Sequence, residues 1–408
     1  MNAYANADCC AVGGLALADA QARVLALVSL LPGETVGLED VPGRVAAARI
    51  AACVDLPGFD RAAMDGYAVR HADLTPGLAL PLTGRAQAGF AAAPLCPGGA
   101  HRILTGAPIP TGADTVIAQE LVTIAGGMIR LGTTPVSGAH IRRRGEDVQT
   151  GATLIAAGER LDFRHVALLA AQGIDQVQVR RAPVVALLSS GHELAAPGAR
   201  LSAGQIHDSN LPMLRALLRG WGAQVISLPP VPDAAAALRA ALLAASGVAD
   251  LVLSTAGISV GDEDHVRDAV RDIGGSLAVL KVAMKPGKPL VAGRIGKAVF
   301  IGLPGNPLAA LAGAMAFVRP VLSEMCGAPV PTPIAARIGF PLCRPSGRSE
   351  FVPVRLEQRG VELWAGRSGP EGSARLRPLL AADGLLCLPA AATVMTPGDM
   401  VEVLRWAA

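Results

Sequence analysis

The chain has 408 residues, 51% of them hydrophobic, 17% charged and 3% aromatic, with a formal net charge of +3. That length predicts several domains, the apolar fraction predicts large aliphatic cores, and so weak a charge excludes an electrostatic nucleic-acid binder. The 7 cysteines are scattered without metal-ligand spacing; with no basic-then-apolar leader and no uncharged run of membrane-spanning length, they predict reduced thiols in a cytoplasmic protein away from the membrane.

Residues 15–30 repeat apolar positions at helical spacing and stop at Pro32-Gly33. From about 33 to 150, short apolar runs alternate with Gly and Pro turns, which predicts β structure. Residues 163–172 read as helix again, ending at Gly173, so the β segment is an excursion from one helical domain. From about 182 to 327 strands alternate with helices. "PVVALLS", "QVISL", "DLVLST" and "VFIGL" are the strands, and Asp208 or Ser209, Asp233 and Pro307 open helices. This predicts a doubly wound, mostly parallel sheet whose ligands bind at the carboxyl ends of the strands. From about 329 the chain returns to short strands, as a small barrel or sandwich. The expected boundaries are 1–57 with 144–181 (helical), 58–143 (β-rich), 182–327 (α/β) and 328–408 (β).

Chemistry-bearing residues sit at the strand ends of the α/β segment. In "SSGHEL", Ser190 and Gly191 offer a hydroxyl and backbone N–H groups to an anion, and Glu193 is either a crevice carboxylate or a helix-start acid. In "STAGISVGDED", Gly257 and Gly261 permit close approach to a ligand around Ser259. Of its acids, Asp262, Glu263 and Asp264, one suffices as a helix cap, which leaves a metal ligand or general base open. Asp250, at the strand's start, reads by position as structural. In "KPGKPLVAGRIGKAVFIGLPGNP", Lys285 and Lys288, with Lys281 upstream, accompany a stiff Pro304-Gly305 turn. Asn306 and Pro307 then start a helix, so the stretch reads as an anion cradle. No dinucleotide-binding or P-loop glycine motif occurs. The β excursion adds Asp60 and Asp65 in "DLPGFDRAAMDGYAVR", Thr105 in "RILTGAPIPTGADTVI", and Arg142 to Arg144, Glu146 and Asp147 in "IRRRGEDV". Each of these loops is either a plain turn or a wall of a site.

In order and spacing, "FDRAAMDGYAV", "RILTGAPIPTGAD", "IRRRGEDV", "SSGHELAAPGARLSAGQIHDSN", "STAGISVGDED", "MKPGKP" and "GLPGNP" resemble the molybdopterin molybdenumtransferases. These are the MoeA proteins and the gephyrin E-domain. The resemblance runs from about residue 15 to the C-terminus. It implies a discontinuous helical domain, a β-rich domain, an α/β molybdopterin-binding domain and a C-terminal β-barrel. It further implies a homodimer with the active site between the α/β domain of one subunit and the β-rich domain of the other. The implied reaction inserts molybdate into adenylylated molybdopterin and releases AMP, with Mg²⁺ as the cation.

By motif match, Asp60, Thr105, Asp147, Glu193, Asp250, Asp264, Lys281 and Lys285 are implied as catalytic. Glu193, Asp250 and Asp264 are the implied metal ligands. Ser190, Gly191, Gly257, Ser259, Gly261, Lys288, Pro304, Gly305, Asn306 and Pro307 are expected to bind substrate. Arg142 joins them from the β-rich segment, as do Arg348 in a "GR-EF"-like strand and Ser373 in a "GS" turn. Transient contacts with a molybdopterin adenylyltransferase and with apo-molybdoenzymes are further expectations. The chain departs from the family pattern at Arg61-Ala62, His192, Ala256 and Ala309. Two rivals stand beside this reading, a molybdopterin adenylyltransferase resembling residues 182–327 and a non-catalytic pterin carrier.

Overall fold

The computed structural model describes residues 14–75, 77–232, 234–256, 265–279 and 281–406. Asp233, Gly257, Ser259, Gly261, Asp262, Glu263 and Asp264 lie outside the described residues. The chain divides into two compact units, Met1–Ala47 with Gly158–Asp162 and Gln178–Ala408, and Ala48–Ala157 with Phe163–Val177.

The smaller unit is built on a six-stranded sheet in the order Thr115–Ala118, Gly66–Val69, Ala100–Ile103, Ala79–Ala86, Met128–Leu131, Val122–Ala125. All neighbours are antiparallel except Ala79–Ala86 with Ala100–Ile103. A Cβ at Gly66 would lie 1.9 Å from the Ile117 carbonyl oxygen, so this central strand requires glycine there. Helix Phe163–Ala171 belongs to the same unit, and Gln172 just beyond it accepts the N–H groups of Cys53 and Val54.

The larger unit carries a second six-stranded sheet. Its strands are β1 (Val184–Ser189), β2 (Gln224–Ser227), β3 (Leu251–Thr255), β4 (Ser276–Val279), β6 (Val291–Ile295) and β7 (Ala298–Leu303). Between β4 and β6 lies the two-residue strand β5 (Met284–Lys285). The sheet order is β2-β1-β3-β7-β6-β4. β2, β1, β3 and β7 are parallel, and the β6–β4 edge is antiparallel.

Alternation along β1 shows why the sheet is covered on both faces. Val185 and Leu187 pack into one core with Leu214 and Leu218 of helix α2 (Asn210–Gly220) and Val24 of helix α1 (Leu17–Leu25). Ala186 and Leu188 face a second core with Leu238 and Leu242 of α3 (Ala235–Val248) and Val266 and Val270 of α4 (His265–Asp272). The register pairs Ser189 with Thr255 and Thr255 with Leu303, so β1, β3 and β7 end together on one edge.

Helix α5 (Pro307–Cys326) has 20 residues, contains a π turn at Ala314–Val318, and follows β7. Its length and apolarity would suit a membrane span, but 94% of its most apolar 18-residue stretch is buried inside the protein. Arg319, the charge that interrupts its apolar run, stacks 5.6 Å over the Trp221 ring and donates to the Arg405 carbonyl at 2.8 Å. Trp221 donates in turn to the Trp406 carbonyl, and Trp406 to that of Ala382.

The last segment is a closed barrel of β8 (Ile334–Ile338), β9 (Ser349–Arg359), β10 (Glu362–Arg367), β11 (Gly384–Leu388) and β12 (Met400–Arg405). Pairings run β9-β10-β8-β12-β11 and return to β9. Ile338, Val354, Leu386 and Val403 fill its interior. Trp364 on β10 lies under the Arg359 guanidinium. β5 adds to β9 in parallel, pairing Lys285 with Glu350. This is the multidomain α/β-plus-β architecture expected from the sequence, and closure resolves barrel against sandwich.

Candidate active site

The carboxyl edge of the large sheet gathers the ends of β1, β3 and β7. Ser189, Ser190, Ser254 and Thr255 are buried there, and their hydroxyls have no hydrogen-bond partner among the described residues. Buried hydroxyls without partners are uncommon, and four of them cluster at the carboxyl ends of β1 and β3, the edge where parallel sheets bind ligands. Glu193 is exposed, and its carboxyl folds back towards the loop; a Cβ on Gly191 would meet it at 2.5 Å. The Asp208 carboxylate caps α2, accepting the N–H groups of Asn210 and Leu211 at 2.9 and 3.1 Å. Asn210 then donates to the Gly305 carbonyl at 2.6 Å, tying the first strand-end loop to the last. Ala256 adopts a left-handed φ of 68°, a conformation that an alanine resists.

A cavity of about 360 Å³ opens beside this edge. It brings together Lys285, Lys288, Pro304, Asn306, Arg348 and Ser373, which the sequence had singled out from distant segments. Two acids, Glu350 and Glu371, share its wall. Asn306 occupies the N-cap position of α5 with no side-chain capping bond. It was expected to cap the helix; instead its amide donates to the Ser373 hydroxyl at 3.2 Å, and the Leu308 N–H is taken by the Ser373 carbonyl. The helix start is therefore closed by the "GS" turn, and the cavity's positive charge comes from side chains.

Lys281 and Asp250 are among the expected residues that do not line this cavity. Lys281 is half-buried, and its carbonyl accepts the Leu15 N–H at 3.1 Å. Asp250 precedes β3, at the opposite end of that strand from Thr255. Its carboxylate takes both Arg181 guanidinium nitrogens at 2.9 and 2.8 Å and the Val184 N–H at 2.8 Å. Arg181 is held even more firmly protonated by that pairing. The geometry makes Asp250 a structural acid that ties two strands together. Its implied catalytic and metal-binding roles do not fit this position.

In the smaller unit, Asp60 is fully engaged. It accepts the Arg144 N–H at 2.8 Å and the Arg143 guanidinium at 2.6 Å. Those bonds, the Arg144 N–H foremost, hold its carboxyl below the usual carboxylate range. Asp55 accepts both the Thr150 N–H and hydroxyl at 2.8 Å and the Arg144 side chain at 2.6 Å, which lowers its pKa to about 2. Asp65 accepts the Thr105 hydroxyl and N–H at 2.7 and 2.8 Å, and these bonds lower its pKa too. Asp60 and Thr105 thus organise their own loops. Arg142 is the loosely held member of the arginine run, 3.9 Å from Glu146. The exposed Asp147 accepts no hydrogen bond among the described residues.

Reading from sequence alone missed Glu350 and Arg344, and it undervalued Asp55 and Asp65. The signal for Glu350 was present in its adjacency to Arg348 within the "GR-EF"-like strand.

Residues 15–173 match the MoeA N-terminal region (domain I and II), 186–324 a probable molybdopterin binding domain, and 335–406 the MoeA C-terminal region (domain IV). The chain is 37% identical to "Molybdopterin molybdenumtransferase 2" of Mycobacterium tuberculosis over 90% of its own length and 94% of the relative's. It is 39% identical to "Molybdopterin molybdenumtransferase" of Haemophilus influenzae over 72% of this chain and 73% of the other. The crystal structure of a molybdopterin biosynthesis MoeA protein from Pyrococcus horikoshii superposes with a TM-score of 0.84 at 32% identity, covering 97% of this chain and 100% of that one. Sequence identity across nearly the whole chain, three successive family matches and a full-length structural likeness agree: the chain belongs to the molybdopterin molybdenumtransferase family.

Proposed function

We propose that this chain inserts molybdate into adenylylated molybdopterin and releases AMP, as a step of molybdenum cofactor biosynthesis. The observation that carries the reading is the 360 Å³ cavity, where Lys285, Lys288 and Arg348 converge beside the strand-end edge of the sheet. The substrates suit this cavity and the strand ends beside it. Molybdate is a compact dianion, and three cations with the Asn306 amide and Ser373 hydroxyl supply charge and donors to it. In this proposal the polar pterin and its phosphates lie over the strand ends that carry Ser189, Ser190, Ser254 and Thr255. Glu193, exposed and folded over the Ser190-Gly191 turn, is placed to orient a water or a cation at the phosphoryl group.

Mg²⁺ belongs to this proposal as the expected cation. Among the described residues no three His, Cys, Asp or Glu side chains gather in a metal-binding set, and Asp250 is taken by Arg181. The described acids therefore do not form a cation site by themselves. Glu193 is the one expected ligand still available among them, and no step here runs through a metal. A homodimer is part of the same reading, supported by the family resemblance, and light scattering of the purified chain checks it.

The deciding assay incubates the purified chain with adenylylated molybdopterin and molybdate. AMP release that requires molybdate is expected, and its absence would remove the reading. Consumption of ATP with unadenylylated molybdopterin would favour an adenylyltransferase instead.

A further inference from the structure

The cavity built from cations also holds a carboxylate. Glu350 on β9 stands in register with Lys285 on β5, and its Oε1 lies 2.7 Å from the Lys285 Nζ. On the other side, Arg344 Nη1 is 3.8 Å from Glu350 Oε2. Exposure rises along this chain of charges, from 6% at Arg344 through 13% at Glu350 to 50% at Lys285. Arg344 also donates to the carbonyls of Arg348 and Pro389. One buried guanidinium thus fixes the backbone of Arg348 directly and reaches Lys285 through Glu350.

An ordinary surface ion pair fixes a lysine poorly, because the flexible stem gains freedom by leaving it. Here the carboxylate is not free to follow. Moving Glu350 would leave a buried guanidinium without its counter-charge, which is strongly unfavourable. We propose that Glu350 is a positioning residue: pinned by Arg344, it holds the Lys285 ammonium at the cavity, so that an incoming oxyanion meets a cation already in place. This rests on the function proposed above. The competing view is that Glu350 serves only to neutralise Arg344.

The test is a double-mutant cycle between Glu350→Ala and Lys285→Ala, read as KM for molybdate and kcat of AMP release. Glu350→Ala should raise KM about tenfold and leave kcat within about twofold. Glu350→Gln, which keeps an acceptor oxygen but not the charge, should fall between wild type and Glu350→Ala. The double variant should match Lys285→Ala alone, because the action of Glu350 passes through Lys285. Multiplying losses in the double variant would overturn the proposal, as would a lowered Tm with unchanged KM. Where Glu350→Ala does not fold, the cycle is run with Glu350→Gln. Calorimetric titration with molybdate alone separates this idea from the proposed reaction. Weaker binding to the Glu350 variants is expected, and equal binding overturns the positioning role even if no AMP is released.

Discussion

Asp250 and Glu193 carry the same functional group in opposite circumstances. Asp250 answers a guanidinium and a backbone N–H, while Glu193 faces solvent just beyond the end of β1. Asp250→Ala should therefore lower stability by about 1–3 kcal/mol, since Arg181 and the Val184 N–H lose their acceptor. The folded fraction should release AMP at the wild-type rate. Glu193→Ala should do the reverse, cutting AMP release at least about tenfold with stability within about 0.5 kcal/mol. Denaturant titration beside an AMP assay separates the two. Ala256 offers a third case. Its left-handed φ of 68° strains an L-residue at the strand-end loop. Ala256→Gly should gain about 0.5–1 kcal/mol, the relief of strain exceeding the glycine's extra freedom in the unfolded chain. A lower melting temperature in that variant would contradict the strain argument.

Among the elements, the arginine loop is the most closely clamped. Asp55 and Asp60 hold residues 143–150, and both titrate below the ordinary carboxylate range. A folded pKa depressed below the unfolded value of about 3.9 stabilises the loop fully above that value and loses this effect as pH falls through the folded pKa. The clamp should hold down to about pH 4 and open towards pH 2. Pepsin, active across that window, should cut within 142–150 faster as the pH drops, and Asp55→Asn should show the fast cutting already at pH 4. A pH-independent cutting pattern would contradict the clamp.

What the sequence did not reveal was which of these carboxylates were engaged. The partners of Asp60 lie more than eighty positions away, and no local pattern reports such a pairing. Strand geometry explains the misplaced Asp250. It adjoins the Gly-rich loop in the sequence, but the five residues of β3 rise about 16 Å and put it on the far edge. The strand-end loops were legible because turn chemistry and apolar runs are local signals, and the parallel sheet then brings their ends to one edge.

At the scale of the whole molecule, the cavity joins the α/β sheet to the barrel through the β5–β9 pairing. The role proposed for it therefore requires both parts of the larger unit. Complementation of a strain lacking molybdenum insertion, at low molybdate, should succeed with the full chain and fail with residues 182–327 alone. Rescue by the fragment would show that the barrel's Arg348 and Ser373 are dispensable. The placement of the indole rings adds a practical consequence. The 3 tryptophans of the chain are Trp221, Trp364 and Trp406, and all belong to the larger unit. Intrinsic indole emission will thus report unfolding of the sheet-and-barrel unit while the smaller unit, with Tyr67 in its sheet, stays nearly silent. A fluorescence melt and a far-ultraviolet dichroism melt will separate wherever the two units unfold at different temperatures, so the chain carries its own unit-specific probe.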